Sequence, residues 1–235
     1  MHLVDCAGVA SLLYGGILFL LCSDARVGNS RAARLRAINE RREEHYDNRP
    51  GVSRLPNIWW GNVVADGWAV LHGPIFKAAI LRHAAPFFSE LVQHYCTAAT
   101  ARDTCLCHVA SSLDAFYNIL YSGNMFLTPA ALCRLRAVCD DFGLHYGRLR
   151  ALCARSALFA FPNRPKINKL LHMPDTAASI NPRHCQCYDE ESAVGSVAAT
   201  WKGSKYGRYH STVQRVVLVK RIVALLLRFE LACDV

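Results

Sequence analysis

Eleven cysteines and ten histidines run through this chain of 235 residues. Two short stretches group them as ligand sets would be grouped: Cys105-x-Cys107-His108 and His184-Cys185-x-Cys187. Thiolates and imidazoles of this kind hold zinc tetrahedrally. The first stretch lies within an expected helix over 101–121, where side chains two apart face different sides, so Cys105 and Cys107 are not expected to share an ion. That leaves His184, Cys185 and Cys187 as the metal candidates. A third constellation is acidic. Asp189-Glu190-Glu191 stands just ahead of an expected helix, where carboxylates stabilise the positive end of the helix dipole. Its functional reading makes this acidic run a source of a metal-binding carboxylate, with Asp5 as the other acid in a suggestive setting. Mg²⁺ takes oxygen ligands from several carboxylates, and two-metal phosphoryl transfer needs further acids close in space. The neighbouring acids Asp140-Asp141 and Glu43-Glu44 point about 100° apart on their helices and read as solvated surface. Neither a nucleophile elbow, a phosphate-binding loop nor an H-E-x-x-H zinc helix is present.

Charge points to an anionic partner. Twenty-seven Lys and Arg against eighteen Asp and Glu give a net charge of +9. Residues 161–235 hold eleven of the cations and six of the acids. Between Glu191 and Glu230 there is no acid, and the stretch 201–210 (WKGSKYGRYH) interleaves aromatic and basic side chains. Cations neutralise phosphates and aromatic faces stack on bases. Lys202, Lys205, Tyr206, Arg208, Tyr209 and Arg215 are therefore the candidate nucleic-acid contacts. A solvated loop before a helix would have the same composition.

The elements that must position these groups are nearly all helical. The pattern predicts a mainly α, irregular array of about eight to ten helices with at most one or two short strands. Expected helices cover 6–22, 31–46 (Asn29 or Ser30 as N-cap), 62–71, 75–83, 86–96 and 101–121. Further helices are expected over 129–142 (Thr128 as N-cap), 144–159, 165–173, 189–201 and 211–231. Gly143 is expected to end or kink its helix. Trp59 and Trp60 are expected to be buried in a turn, Asn181-Pro182-Arg183 to form a turn, and 184–188 to form a short extended piece. Pro174 is expected to close the preceding helix or start another. The sequence divides into an apolar opening segment (1–24), a helical region (25–160) and a basic C-terminal region (161–235).

The run 6–22 (CAGVASLLYGGILFLLC) is the most apolar. It is near the lower limit for a membrane span, which needs about 20 residues; it reads equally as a helix buried on all sides, with its glycines allowing close packing. The odd number of cysteines, many at apolar helical positions, together with a start that lacks a basic signal-peptide region, predicts a reduced, intracellular protein.

Two sets of residues resemble a known family. One is the opening Met1, His2, Asp5, Gly8 and Val9. The other is Arg164, Pro165, Lys166, Asn168, His172 and Met173, followed by Asn181, Pro182, Arg183, Tyr188, Asp189, Glu190 and Gly195. Spread over about residues 1–230, they resemble multicopy proteins of protist genomes, of dinoflagellate type. More remotely, they resemble the C-terminal half of cut-and-paste DNA transposases with a ribonuclease-H-like core. The resemblance implies that residues 25–160 are a helical insertion, that Glu190 matches the last carboxylate of a D-D-E triad, and that His2, Lys166 and His172 are motif positions. Asn168 stands where the family usually has His. The strands and acids that would complete the triad are not in this sequence, so it implies Mg²⁺ binding only if those carboxylates are supplied. The expectation is a mobile-element-derived protein or fragment, inactive in catalysis alone, that contacts DNA through its basic C-terminal segment and is nuclear if it does. Two alternatives stand beside it. One is a helical module that binds another protein chain and shows an exposed apolar patch. The other is a small membrane protein anchored by residues 6–22.

Overall fold

The computed structural model describes residues 8–97, 99–178 and 180–185, which belong to one compact unit, Met1–Cys185. Among the described residues there are eight α-helices and a single two-stranded antiparallel sheet, the mainly α architecture that the periodicity predicts.

Helix α1 (Val9–Ser23) is the apolar opening run, and it sits in the core. Leu12, Leu13, Ile17 and Leu20 are all buried, an arrangement that counts against a membrane anchor at 6–22. No helix among the described residues is long and apolar enough to cross a membrane. Two glycines let other backbone and an aromatic ring approach α1. A Cβ on Gly15 would lie 2.4 Å from the backbone nitrogen of Leu71, and one on Gly16 would lie 2.7 Å from the ring of Phe161. Phe161 is itself fully buried with φ +55°.

Helix α2 (Arg31–Asp47) starts at Ser30, whose hydroxyl accepts from Ala33 N at 3.2 Å. It buries Ile38, Arg42, His45 and Tyr46, so its inner stripe runs through the C-terminal half of the helix. Asn39 fixes the following loop from both sides, accepting from Ile58 N at 2.9 Å and donating to Ile58 O at 3.0 Å.

The expected helix over 62–71 does not form. A 3-10 turn (Trp60–Asn62) leads into a small hairpin, β1 (Val64–Ala65) and β2 (Trp68–Ala69), with Val64 opposite Ala69 and Ala65 opposite Trp68. The reason is the Asp66-Gly67 pair, with φ of +50° and +76°. A two-residue hairpin turn with both central residues at positive φ favours this dipeptide, and a helix cannot pass through it. Trp59 is also not buried; it is 68% exposed. Trp60 is half-buried, stacked on Phe19 and beneath the Arg31 guanidinium at 4.1 Å.

Helices α3 (Ala78–His83) and α4 (Ala85–Tyr95) follow, α4 with Pro86 in its first turn. Ile75 to Lys77 remain outside α3, which is shorter than the expected 75–83. Helix α5 (Ala101–Ser122) is capped by Thr100, which accepts from Asp103 N at 3.1 Å. Helix α6 (Pro129–Arg155) is capped by Thr128, which accepts from Ala131 N at 3.2 Å.

Helix α6 continues through Gly143 rather than ending there. That glycine serves a packing purpose instead: a Cβ there would lie 2.8 Å from Leu171 of the next helix. Helix α6 ends at Arg155 rather than near 159. Ala157 turns left-handed (φ +52°) and Leu158 N returns to Cys153 O at 2.9 Å, the way many helices satisfy their last carbonyls.

Helix α7 (Pro165–Leu171) begins at Pro165 as expected, and α8 (Met173–Ala177) restarts around Pro174. A 3-10 turn (Pro182–Cys185) ends the described chain, so His184 and Cys185 are not extended. Asn181 is fully buried, donating to Leu120 O at 2.9 Å and Asn124 O at 3.0 Å. It closes the C-terminal end of α5, where helical carbonyls lack partners. Arg183 adds a bond to Tyr121 O at 2.8 Å.

Candidate metal centre

Helices α5 and α6 pack antiparallel, since Cys105 meets His145 and Ser112 meets Asp141. Each helix contributes a row at helical spacing. Cys105, His108 and Ser112 lie at i, i+3 and i+7 on α5, and Asp141 and His145 at i and i+4 on α6; such residues share a face. At the seam these rows close into one cluster. His108 Nδ1 lies 3.2 Å from Asp141 Oδ2, and His145 Nε2 lies 3.5 Å from Asp141 Oδ1. The two imidazoles stack with centroids 3.9 Å apart and planes 5° from parallel. One ligand atom from each of His108, Asp141 and His145 lies within 4.8 Å of the others.

The surroundings orient the cluster. The Ser112 hydroxyl donates to Asp141 Oδ2 at 2.7 Å. On the far side of His145, Nδ1 lies 3.5 Å from the Cys105 sulfur. Burial alone would raise the Asp141 carboxyl, but the hydrogen bonds from Ser112 and His108, with the field of both histidines, outweigh it and hold the group below its usual range. Burial, and then the neighbouring His108, push His145 down, so this imidazole favours its neutral form with a free lone pair. Burial keeps the Cys105 thiol protonated by raising its pKa. The cluster opens outward: His145 is buried, while the His108 and Asp141 side chains are 46% and 37% exposed.

The structure corrects the expectation that Asp141 is solvated surface. Asp140 faces out, but its neighbour turns into the seam between α5 and α6. The separation of Cys105 from Cys107 holds: Cys107 Sγ instead lies 3.7 Å from Cys96 O. His145 is not among the residues that sequence motifs single out. The signals for it are the spacings Cys105-x₂-His108 and Asp141-x₃-His145, each one helical turn; the pairing of the two helices is what joins them.

The other predicted site residues are not in this cluster. Lys166 lies in the first turn of α7, and His172 is exposed just after that helix, 3.7 Å from Asp175. His184 and Cys185 lie in the last 3-10 turn, where only the backbone is described. His2, Asp5, Cys187, Glu190, Lys202, Lys205, Tyr206, Arg208, Tyr209 and Arg215 lie outside the described residues.

A second feature emerges only with the helices in place. No acid occurs from residue 142 to residue 174, while Arg148, Arg150, Arg155, Arg164, Lys166 and Lys169 do. They cover the C-terminal half of α6 and the start of α7. Arg148, Arg150, Arg155, Arg164 and Lys169 are exposed, and none of these five is in an ion pair among the described residues.

Burial works against nucleophilic chemistry at several of the described cysteines. Cys22, Cys96, Cys105, Cys107, Cys133, Cys139 and Cys153 are free. Burial pushes Cys22 up to about 11, and Cys96 and Cys139 up to about 12, so these three stay protonated and poorly nucleophilic. The exposed large apolar side chains Trp59, Ile75, Met125, Phe126, Leu144 and Phe159 belong to five separate segments.

No protein-family model, curated protein or solved structure matches the chain. The resemblance to transposase-like proteins rests on the motif residues alone.

Proposed function

We propose that the chain is a mobile-element-derived, transposase-like protein that binds DNA through basic surfaces and performs no strand chemistry by itself. The observation that carries the DNA reading is the acid-free stretch 142–174, from the C-terminal half of α6 through α7, where five exposed cations have no ion partner among the described residues. Exposed cations of this kind can bind phosphates without first giving up a salt bridge, and their counterions are released on binding. The acid-free stretch after Glu191, with Lys202, Lys205, Arg208 and Arg215 among its cations, extends the same chemistry. Such a protein acts in the nucleus, where its DNA is. The motif around Pro165, Asn181 and Glu190 supports descent from a transposase; Glu190 alone does not make a metal site for phosphoryl transfer.

Duplex binding by fluorescence anisotropy across a salt series tests this. Binding should weaken steeply with salt. Replacing Arg150, Arg155 and Lys169 together by Ala should lower affinity at least tenfold. It should also reduce the log–log salt slope by about 2–3, roughly 0.9 for each phosphate no longer neutralised. Absent or salt-insensitive binding overturns the reading. So does Mg²⁺- or Mn²⁺-dependent cleavage that disappears in Glu190→Ala, because it would make the chain an enzyme.

A further inference from the structure

We infer that His108, Asp141 and His145 form a binding site for a first-row divalent cation of the zinc class. It is independent of the DNA reading, and it uses none of the motif residues.

The geometry carries the inference. Ligand atoms at about 2.0–2.2 Å from a common tetrahedral ion lie about 3.3–3.6 Å from one another. The two nitrogen–oxygen separations across Asp141, His108 Nδ1 to Oδ2 and His145 Nε2 to Oδ1, are 3.2 and 3.5 Å, close to such an edge. They end on different oxygens of the carboxylate, so the ligand groups are gathered within 4.8 Å and an ion must bring both imidazole nitrogens to one oxygen and toward each other. In the stack the ring planes are parallel, so the in-plane lone pairs do not converge. Turning the exposed His108 ring about its side-chain bonds brings its nitrogen toward the ion, while the buried His145 stays in place.

The groups behind the ligands suit this use. The Ser112 hydroxyl fixes one Asp141 oxygen. With a proton on His145 Nδ1 pointing to the Cys105 sulfur, Nε2 is left as the metal-facing lone pair. Outer partners that fix ring tautomer and carboxylate orientation are the usual support of metal ligands. The reverse tautomer, with the Cys105 thiol donating to Nδ1 and Nε2–H facing Asp141, is the metal-free arrangement. Binding therefore selects the tautomer with the proton on Nδ1, and His145 itself releases none.

The donor set selects the ion. Two imidazoles and one carboxylate suit Zn²⁺, Co²⁺, Ni²⁺ or Cu²⁺; Mg²⁺ and Ca²⁺ prefer oxygen throughout. Three protein ligands leave a position for water on the open side.

Zn²⁺ competition against a chromophoric chelator, on the full chain under reducing conditions, tests the site, with Co²⁺ absorption as a second probe. One equivalent of Zn²⁺ should bind. Its affinity should fall at least tenfold in His108→Ala, a surface change that circular dichroism should show to be folded. Asp141→Asn should give a similar loss. Co²⁺ should give visible d–d bands without strong thiolate-to-metal absorption in the near ultraviolet. A chain carrying both Cys185→Ser and Cys187→Ser should retain the site. The inference is overturned if folded wild-type chain binds no Zn²⁺. It is also overturned if binding is unchanged in His108→Ala, or vanishes only in the Cys185/Cys187 double variant.

Discussion

Two aspartates at the α5 seam show what a partner does to a carboxylate. Asp103, in the first turn of α5, is fully buried and gripped by Arg26 through two bonds of 2.9 Å, while Arg26 also holds Asp24 at 2.6 Å. Asp141, in the middle of α6, is half-buried and faces two histidines and a serine. Both carboxyls lie below their usual range: Asp103 chiefly through the Arg26 hydrogen bond, Asp141 through weaker bonds that outweigh its burial. The difference is in what each can still accept. A carboxylate locked to an arginine has its counter-charge built in and ties the end of α1 to the start of α5. A carboxylate facing imidazoles that can be neutral retains room for a cation from outside.

The strongest way to break this comparison is to remove the arginine. Arg26→Ala leaves Asp103 buried without its cation, and such a change costs about 3–5 kcal/mol. Urea unfolding should show it, and a second change, Asp103→Asn, should recover part of the loss in a double-mutant cycle. A wild-type-like Arg26→Ala chain would mean that the ion pair is incidental.

Acid should have the next largest effect. Asp24 and Asp103 are held below their usual values, first of all by hydrogen bonds from Arg26. Their contribution is therefore fully present above the unfolded carboxyl value of about 3.9 and lost as pH falls through the lower folded values. Stability measured from pH 7 downward should hold until near that value and then drop. The drop should be shallower in Arg26→Ala, since an unpaired buried carboxylate gives up its charge readily.

The smallest effect sharpens the other side of the comparison. Ser112→Ala removes one hydrogen bond from a charged group, a loss of about 1–2 kcal/mol in stability. If Asp141 is a ligand, the same change should also weaken Zn²⁺ binding about tenfold or more. Equal Zn²⁺ affinity in the two chains would show that the serine serves packing only.

Much of the framework is legible in the sequence because caps are local. Ser30 and Thr128 each announce a helix within three residues, and each accepts the expected backbone bond; Thr100 does the same for α5. Pro165 opens α7 for the same kind of reason. The hairpin is written just as locally, in Val-Ala-Asp-Gly-Trp-Ala, but apolar residues on both sides of Asp66-Gly67 also fit a buried helix. Gly143 reads as a break because a helix-breaking residue and a close-packing residue are the same residue; only the approach of Leu171 distinguishes them. The metal cluster lies beyond local reading. Each half is visible as a one-turn spacing, but nothing near position 108 or position 145 says that these turns meet. That depends on the register of α5 against α6, which is set by the whole buried seam from Cys105 to Cys139.

The glycines of α1 have a consequence for how the chain is made. Gly16 is covered by Phe161, a partner about 145 residues further along. At ribosomal speeds of about 5–20 residues per second, that partner arrives roughly 7–30 s later. Gly16 in the most apolar segment thus emerges well before the residue that covers it, a long interval in which to meet chaperones or neighbouring chains on a polysome. Aggregation of nascent chains truncated before Phe161 would be the mark of that delay.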